Sequence, residues 1–145
     1  MEKQDSTAAE VKNKEFIIAY TEDFWNTQNI AAFEKYYAIG FINHSAIGDQ
    51  DFDQTKGGCQ AYFAAFPDLH ITTDLLVAEG DKVTKVWTAN CTHKGDFMGI
   101  KATGKQVVVK GIEVFRIADG KIREIWASMD NLGMLQQLGV IPPLG

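Results

Sequence analysis

Asp130 stands where a predicted strand meets a predicted helix, and its position allows two roles. Alternate residues of the strand Lys121–Met129 lie on one face, and that alternation puts Asp130 on the face that carries Trp126. A carboxylate beside an aromatic side chain is desolvated, which raises its pKa and suits a general base or acid near neutral pH. Aspartate is also a favoured N-cap, and a helix is predicted to begin at Asn131. Spacing alone leaves both roles open.

Glu113 is a second carboxylate with apolar neighbours. The predicted strand from Gln106 to Ile117 places it on one face with Val109 and Phe115. A carboxylate among apolar side chains is costly unless it is paired or functional. A hydrogen bond at the end of the sheet and a place in a binding site are therefore both open for Glu113, and Phe115 is a candidate wall of that site.

The predicted strand Val83–His93 brings an indole and an imidazole to one face. Trp87 and His93 share that face, and the small residues Ala89 and Cys91 between them leave room for a ligand. An ordinary core strand whose last histidine meets solvent gives the same pattern. Lys85 also falls on this face, and we expect its amine to extend out to solvent at the start of the strand.

Three further residues are candidate ligand contacts. Asn43 and His44 lie on a short extended segment after the first helices, where they add hydrogen-bond donors or form a polar loop end. Phe97 lies in a glycine-rich loop between two strands. The three histidines lack the spacing of a metal site, and no glycine-rich phosphate loop or serine nucleophile motif is present. Nothing in the sequence therefore supports a metal site.

The predicted elements change from helices to strands along the chain. Helical periodicity covers Thr7–Asn26, Ile30–Tyr37 and Thr55–Ala65, and the third helix stops before Pro67. From there the period is two, with strands over 69–77, 83–93, 106–117 and 121–129, followed by a helix over 131–138. Helices followed by a meander indicate an α+β fold, with the helices packed on one face of a curved antiparallel sheet.

Composition limits the classes of function. The chain has 145 residues, 46% of them hydrophobic, which suits one domain over residues 1–145 with a substantial core. A net charge of −5 without basic runs argues against a nucleic-acid partner. The sequence shows neither a signal segment nor an apolar stretch long enough to span a membrane, so we expect a cytoplasmic protein.

In its motifs the chain resembles the SnoaL-like polyketide cyclase (ester cyclase) family of the nuclear transport factor two-like superfamily. The resemblance covers nearly the whole chain and is carried by the following stretches: Phe66–Leu69, Leu75–Val83, Trp87–Thr88, Thr92–Ile100, Thr103–Gly104, Gly111–Ile122, Glu124–Trp126, Asp130 and Leu132–Gly139. It implies a cone-shaped α+β barrel, usually oligomeric, with a deep apolar pocket and no metal or organic cofactor. It also implies that Asp130 is the acid/base of an intramolecular aldol ring closure, because the family has its acid/base aspartate at the matching position. By the same resemblance, His93 is expected to face the pocket.

Differences from the family pattern leave the substrate open. Lys101-Ala102 stand where many relatives have prolines, Lys85 replaces a usually apolar residue, and Ser45-Ala46 follow His44 in place of an acidic–proline pair. Epoxide hydrolysis, the chemistry of another relative, is disfavoured because Arg123 and Arg116 alternate to the faces opposite the two carboxylates.

Two functions follow from these residues. One is a cofactor-free enzyme in which Asp130 removes a proton from a carbon acid, while His93, with Asn43 or His44, donates hydrogen bonds to the enolate. The contacts to a flat apolar carbonyl ligand would come from Trp87, Trp126, Phe115, Glu113 and Phe97. The other is a non-catalytic protein that binds the same kind of small molecule. Because a few short helices cannot cover both faces of such a sheet, we also expect a homodimer.

Overall fold

The described chain begins with helices, as expected. The computed structural model describes residues 5–143, and its first helix, α1, spans Ala8–Tyr20. A capping box between Thr7 and Glu10 fixes the start of α1. The chain continues from α1 into a π-helix over Thr21–Asn26, a rare conformation that often marks functional sites.

The remaining helices are short except for α3. A 3₁₀ turn over Ile30–Ala32 leads into α2, Phe33–Tyr36, in place of one continuous helix to Tyr37. Asp51 caps α3, which spans Phe52–Ala65 and stops before Pro67 as predicted. The last helix, α4, spans Asn131–Gln137.

Six strands form one sheet against which the helices pack. They are β1 (Tyr37–Ser45), β2 (Gly48–Gln50), β3 (His70–Glu79), β4 (Lys82–Thr92), β5 (Gln106–Ala118) and β6 (Lys121–Met129). Their spatial order is β2-β1-β6-β5-β4-β3, with β1 and β6 parallel and the other neighbours antiparallel. The predicted α+β class with a curved antiparallel sheet is confirmed, except that the parallel pairing of β1 with β6 was not predicted.

The sequence pattern underestimated the first two strands. The extended segment predicted around Phe41–His44 is the second half of the longer β1, and β2 was not predicted. The short Gly48-Asp49-Gln50 segment has no apolar alternation, so nothing local distinguishes it from a loop.

The inner face of the sheet is built from the rows of paired residues on β4, β5 and β6. Val83, Phe115 and Ile125 are paired in one row, and all three are buried. The next row joins Lys85, Glu113 and Ala127, and the row after it joins Trp87, Gly111 and Met129. Consecutive rows on one face are about 7 Å apart, twice the rise per residue of a strand.

The simple alternation predicted for β6 is wrong. Ile122 and Ile125 are both buried although they are three residues apart, and Trp126 is 38% exposed. The cause is a register shift in the β5–β6 pairing, where Arg116 pairs with Glu124 but Ile117 pairs with Ile122. The shift leaves Trp126 on the outer face of the sheet.

None of the helices in residues 5–143 has the length and apolar character needed to cross a membrane.

Candidate functional site

Glu113 is a carboxylate that lies inside the cone. It is half-buried in the middle of β5, between Lys85 on β4 and Ala127 on β6. Burial raises the pKa of the Glu113 carboxyl, and the charge of Lys85 acts against that rise, while no hydrogen bond from the described residues reaches its oxygens. No described residue therefore occupies the lone pairs of the Glu113 carboxylate.

Lys85 does not extend out to solvent as expected. Its side chain is buried, with 1% of the residue exposed, and Nζ donates a 2.8 Å hydrogen bond to Oγ1 of Thr21 on the π-helix. Burial lowers the pKa of the Lys85 amine, and the charges of Glu113 and Glu22 raise it. Sequence reasoning placed Lys85 on the correct face but missed its burial, because its partner Thr21 is 64 residues away along the chain.

Three tyrosine side chains lie within the range of the Glu113 charge. Tyr20 and Tyr37 are joined by a hydrogen bond between their hydroxyls, and Nε1 of Trp25 donates to Tyr20 Oη at 2.8 Å. Burial raises the pKa of both tyrosines, with the charge of Glu113 among the further causes. Tyr62 of α3 faces the same charge, and its hydroxyl points to Met129 Sδ at 3.7 Å. These residues were not predicted as part of a site.

Trp87 is buried on the inner face, as predicted, in the row next to Glu113. Its six-membered ring lies directly over Gly111, and its Nε1–H is buried without a hydrogen-bond partner. A buried N–H without an acceptor is unusual in a folded protein and is costly. An acceptor atom on a ligand would satisfy it.

His93 follows the end of β4 and is completely buried. The backbone N–H of Thr103 donates to Nδ1 at 3.2 Å, which assigns the proton of the neutral ring to Nε2. That Nε2 is buried and has no partner, so it is a second unpaired donor. Eight residues of strand separate His93 from Lys85, about 26 Å, so His93 and Glu113 cannot act on the same ligand atom.

Two predicted aromatic contacts are also interior. Phe115 is fully buried beneath Tyr20 in the first hydrophobic cluster. Phe97 belongs to the second cluster, where its ring packs against Tyr62 and Phe66. Phe97 thus lies at the His93 end of the cone and Phe115 at the Tyr20 end.

Asp130 lies outside the interior. It is exposed, and its Oδ1 accepts a 2.8 Å hydrogen bond from the backbone N–H of Gly133 as the N-cap of α4. The cap interpretation of the sequence is confirmed, whereas the desolvation expected for a general base requires burial. The catalytic role of Asp130 stays a prediction.

His44 and Trp126 lie together on the outer face of the sheet. Their rings stack with centroids 5.1 Å apart. His44 contacts two carboxylates, Nδ1 with Asp49 at 3.0 Å and Nε2 with Glu124 at 2.8 Å. Hydrogen bonds to Glu124 and then Asp49 raise the pKa of the His44 imidazole. Neither ring reaches the Glu113 side of the sheet.

Asn43 alternates to the inner side of β1, opposite the buried Ile125. Its Nδ2 is 3.5 Å from Gln50 Oε1, and its Oδ1 is buried without a partner. Of the predicted contacts, the interior therefore contains Glu113, Phe115, Trp87, His93, Phe97 and Asn43, and the outer surface contains Asp130, His44 and Trp126.

Two surface grooves lie apart from these residues. One, of about 480 Å³, runs between α1 with its π-helix and the edge strand β3. The other, of about 450 Å³, lies beside the start of β1. Neither groove is lined by a predicted site residue. Among residues 5–143, no cluster of three or more His, Cys, Asp or Glu side chains is arranged to hold a metal ion.

Comparison with known proteins gives a consistent set of relatives. The sequence model of the SnoaL-like polyketide cyclase family matches residues 16–138. No curated protein sequence matches the chain significantly.

Three solved structures illustrate the likeness. AclR, a proposed hydroxylase from Streptomyces galilaeus, superposes with a TM-score of 0.87 at 26% identity, over 94% of this chain and 86% of its own. IdmH, a proposed polyketide cyclase from Streptomyces antibioticus, has a TM-score of 0.76 at 29% identity, over 89% and 99%. A proposed polyketide cyclase from Acidithiobacillus ferrooxidans has a TM-score of 0.76 at 30% identity, over 94% and 98%.

Proposed function

The chain belongs to the SnoaL-like polyketide cyclase family, and from that premise we propose that its cone binds a small apolar or polycyclic carbonyl compound, with Glu113 as the general base. The observation that carries this proposal is the environment of Glu113. Its carboxylate is half-buried among aromatic residues, has no hydrogen-bond partner among the described residues and faces the buried Lys85.

The reaction best suited to this arrangement is cofactor-free carbon-acid chemistry, such as an intramolecular aldol cyclisation. The Glu113 carboxylate accepts the proton of a carbon between two carbonyl groups, and the C–H electron pair forms an enolate. The enolate carbon then bonds to a second carbonyl carbon of the same molecule. The resulting alkoxide takes the proton back from the Glu113 carboxylic acid. A base with a raised pKa is effective near neutral pH because its conjugate acid can return the proton.

The two unpaired donors would hold carbonyl oxygens of the ligand. The Trp87 indole is one row from Glu113, about 7 Å along the sheet, so its Nε1–H is placed to stabilise the enolate oxygen. The Nε2–H of His93 is much farther away and would bind the opposite end of an extended ligand. Phe115 and Phe97 would provide apolar contacts at the two ends.

Proton NMR in heavy water tests the base directly. Deuterium exchange into a panel of β-keto esters and polycyclic ketones is measured with the wild type, Glu113→Gln and Asp130→Asn. We expect exchange with the wild type and with Asp130→Asn, and a loss of at least about 100-fold in Glu113→Gln, the usual contribution of a general base. Exchange that survives in Glu113→Gln but disappears in Asp130→Asn would assign the base to Asp130.

Ligand binding separates this function from a non-catalytic one. A panel compound that quenches tryptophan fluorescence in the wild type, yet gives no Glu113-dependent exchange, would support a binding or accessory protein of the same fold. The variant Trp87→Phe should weaken binding in either case, because it removes the Nε1 donor while keeping most of the aromatic area.

We also propose that the outer face of the sheet pairs with a second copy of the chain. Val77, Thr84, Val114 and Trp126 form one cross-strand row, and the apolar residues Leu75, Val86 and Ile112 form most of the next row. Leu75, Val77 and Ile112 are each more than half exposed in the single chain. An apolar surface of this extent supports a two-fold homodimer.

A further inference from the structure

Lys85 is a buried cation with few partners. Its amine has three N–H groups, and the contact described for it is the one to Thr21 Oγ1, whose own hydrogen is donated to the backbone oxygen of Ile17 at 2.9 Å. The ring centroid of Tyr20 lies 5.9 Å from Nζ. A buried ammonium is expensive unless an opposite charge compensates it.

Glu113 supplies that opposite charge without a direct contact. The two residues are directly paired across β4 and β5, so their Cβ atoms are about 5 Å apart on the inner face. The carboxylate has no hydrogen bond from the described residues, so it is not tied to the ammonium. The opposite charges act against the effect of burial, which favours the neutral form of each group, and the carboxylate oxygens stay open.

We propose that Lys85 is a positioning residue for Glu113: held by Thr21, its ammonium keeps the inner carboxylate ionised and so available to accept a proton. The role of Lys85 in catalysis rests on the proposed function of Glu113. The hydroxyl of Thr21 fixes the amine at the start of the π-helix, away from the carboxylate. A lysine hydrogen-bonded to Glu113 itself would block the lone pairs that a base must use.

The titratable groups that surround the pair come from every element packed on this part of the interior. They are Tyr20 of α1, Glu22 of the π-helix, Tyr37 of β1, and Cys59 and Tyr62 of α3. Burial raises the pKa of the Tyr20, Tyr37, Cys59 and Tyr62 side chains, which keeps these four groups neutral at physiological pH. Glu22 is exposed, so solvent screens its charge. Lys85 is therefore the charged partner inside the fold that opposes the effect of burial on the Glu113 carboxyl.

Carbon-13 NMR measures this ionisation without any need for activity. The side-chain carboxyl of Glu113 is followed from pH 4 to 9 in labelled wild type, Lys85→Met and Lys85→Arg, with Glu113→Gln used to assign the signal. An opposite charge at this range lowers a carboxyl pKa by about 1–3 units. We therefore expect the pH at the titration midpoint of the Glu113 carboxyl to rise by at least about 1 pH unit in Lys85→Met. In Lys85→Arg this midpoint should stay near the wild-type value.

A second pair of variants tests the same idea without removing the amine. Thr21→Val removes the acceptor of Lys85 Nζ at nearly constant volume, and Thr21→Ser keeps the hydroxyl. Without the Thr21 hydroxyl the ammonium can approach and pair with the carboxylate, so we expect Thr21→Val to lower the titration midpoint of Glu113 and Thr21→Ser to leave it unchanged. This pair remains informative if Lys85→Met fails to fold.

The outcomes distinguish the inference from the proposed function. A Glu113 midpoint that is unchanged in both Lys85→Met and Thr21→Val overturns the inference, even if exchange depends on Glu113. A shifted midpoint supports control of Glu113 by Lys85, even if no panel compound exchanges and the proposed function fails. Where exchange occurs, the acidic limb of its pH profile should shift with the NMR midpoint in Lys85→Met, whereas a purely structural role would lower the rate at every pH.

Discussion

Trp87 and Gly111 are paired across β4 and β5 so closely that the indole takes the space of a side chain. A Cβ atom added to Gly111 would lie 2.3 Å from Cζ2 of Trp87 and 2.6 Å from Cε2. The absence of a side chain at residue 111 therefore lets the ring lie flat over the sheet, beside Glu113 and with its Nε1–H unpaired.

Gly111→Ala should displace the indole and destabilise the protein. Overpacking a buried contact of this kind costs about 1–3 kcal/mol, and we expect weaker ligand binding because the donor at Nε1 moves. The matched control is Gly57→Ala in α3, where an added Cβ meets nothing within 4 Å. Alanine there should stabilise the helix by about 0.5–1 kcal/mol. Urea unfolding of both variants checks the contrast, and equal effects would contradict the assigned contact.

Two substitutions of Asp130 should differ in stability because Asp130 caps α4. Asp130→Ala removes the acceptor for the Gly133 N–H and should cost about 1 kcal/mol of unfolding free energy. Asp130→Asn keeps a capping oxygen and should remain close to the wild type. Chemical denaturation of the two variants measures the difference. If Asn destabilises as much as Ala, the negative charge of Asp130 matters beyond the hydrogen bond.

His44 and Glu124 should make stability depend on pH. The raised pKa of His44 means that its contribution is fully present below its unfolded pKa of about 6.5 and is lost as pH rises through the higher folded value. Hydrogen bonds from His44 and then Arg116 lower the pKa of Glu124, so the contribution of that carboxylate is lost at acidic pH. Thermal unfolding between pH 5 and 9 should show the loss of stability that follows deprotonation of His44.

Glu124→Gln should flatten this pH dependence more than Asp49→Asn does. Glu124 makes the shorter contact with His44, 2.8 Å against 3.0 Å, and its side chain is 25% exposed against 68% for Asp49. Water screens the more exposed pair more strongly. A profile unchanged in Glu124→Gln would mean that the ion pair on the outer face contributes nothing measurable.

Local pattern was enough for the long strands and helices but not for the geometry of the interior. Alternation on β4 and β5 correctly placed Trp87, Glu113 and Phe115 on the inner face, because those strands are regular and buried on one side. On β6 the register shift exchanged the faces, so Trp126 was predicted inside and lies outside. A shift of this kind depends on pairing with β5, which no local window contains.

Contacts between distant segments were beyond the reach of the sequence alone. The interior depends on the hydrogen bond from Lys85 to Thr21 and on the Tyr20–Tyr37 hydroxyl pair, each of which joins different elements. The parallel pairing of β1 with β6 likewise follows from the tertiary arrangement. The spacing of Asp130 made it a candidate base, whereas the carboxylate that the fold partly buries is Glu113.

Ile112→Lys should separate the proposed dimer. Ile112 is 51% exposed in the single chain and lies near the middle of the outer face, so a lysine there is compatible with the folded monomer. Burying an isoleucine is worth about 1.5–3 kcal/mol, and its loss should weaken self-association by at least about tenfold. Val11→Lys is the control, since Val11 is 46% exposed on α1, away from this face. Sizing with light scattering at micromolar concentration should give dimers for the wild type and Val11→Lys and monomers for Ile112→Lys, whereas a monomeric wild type would refute pairing through this face.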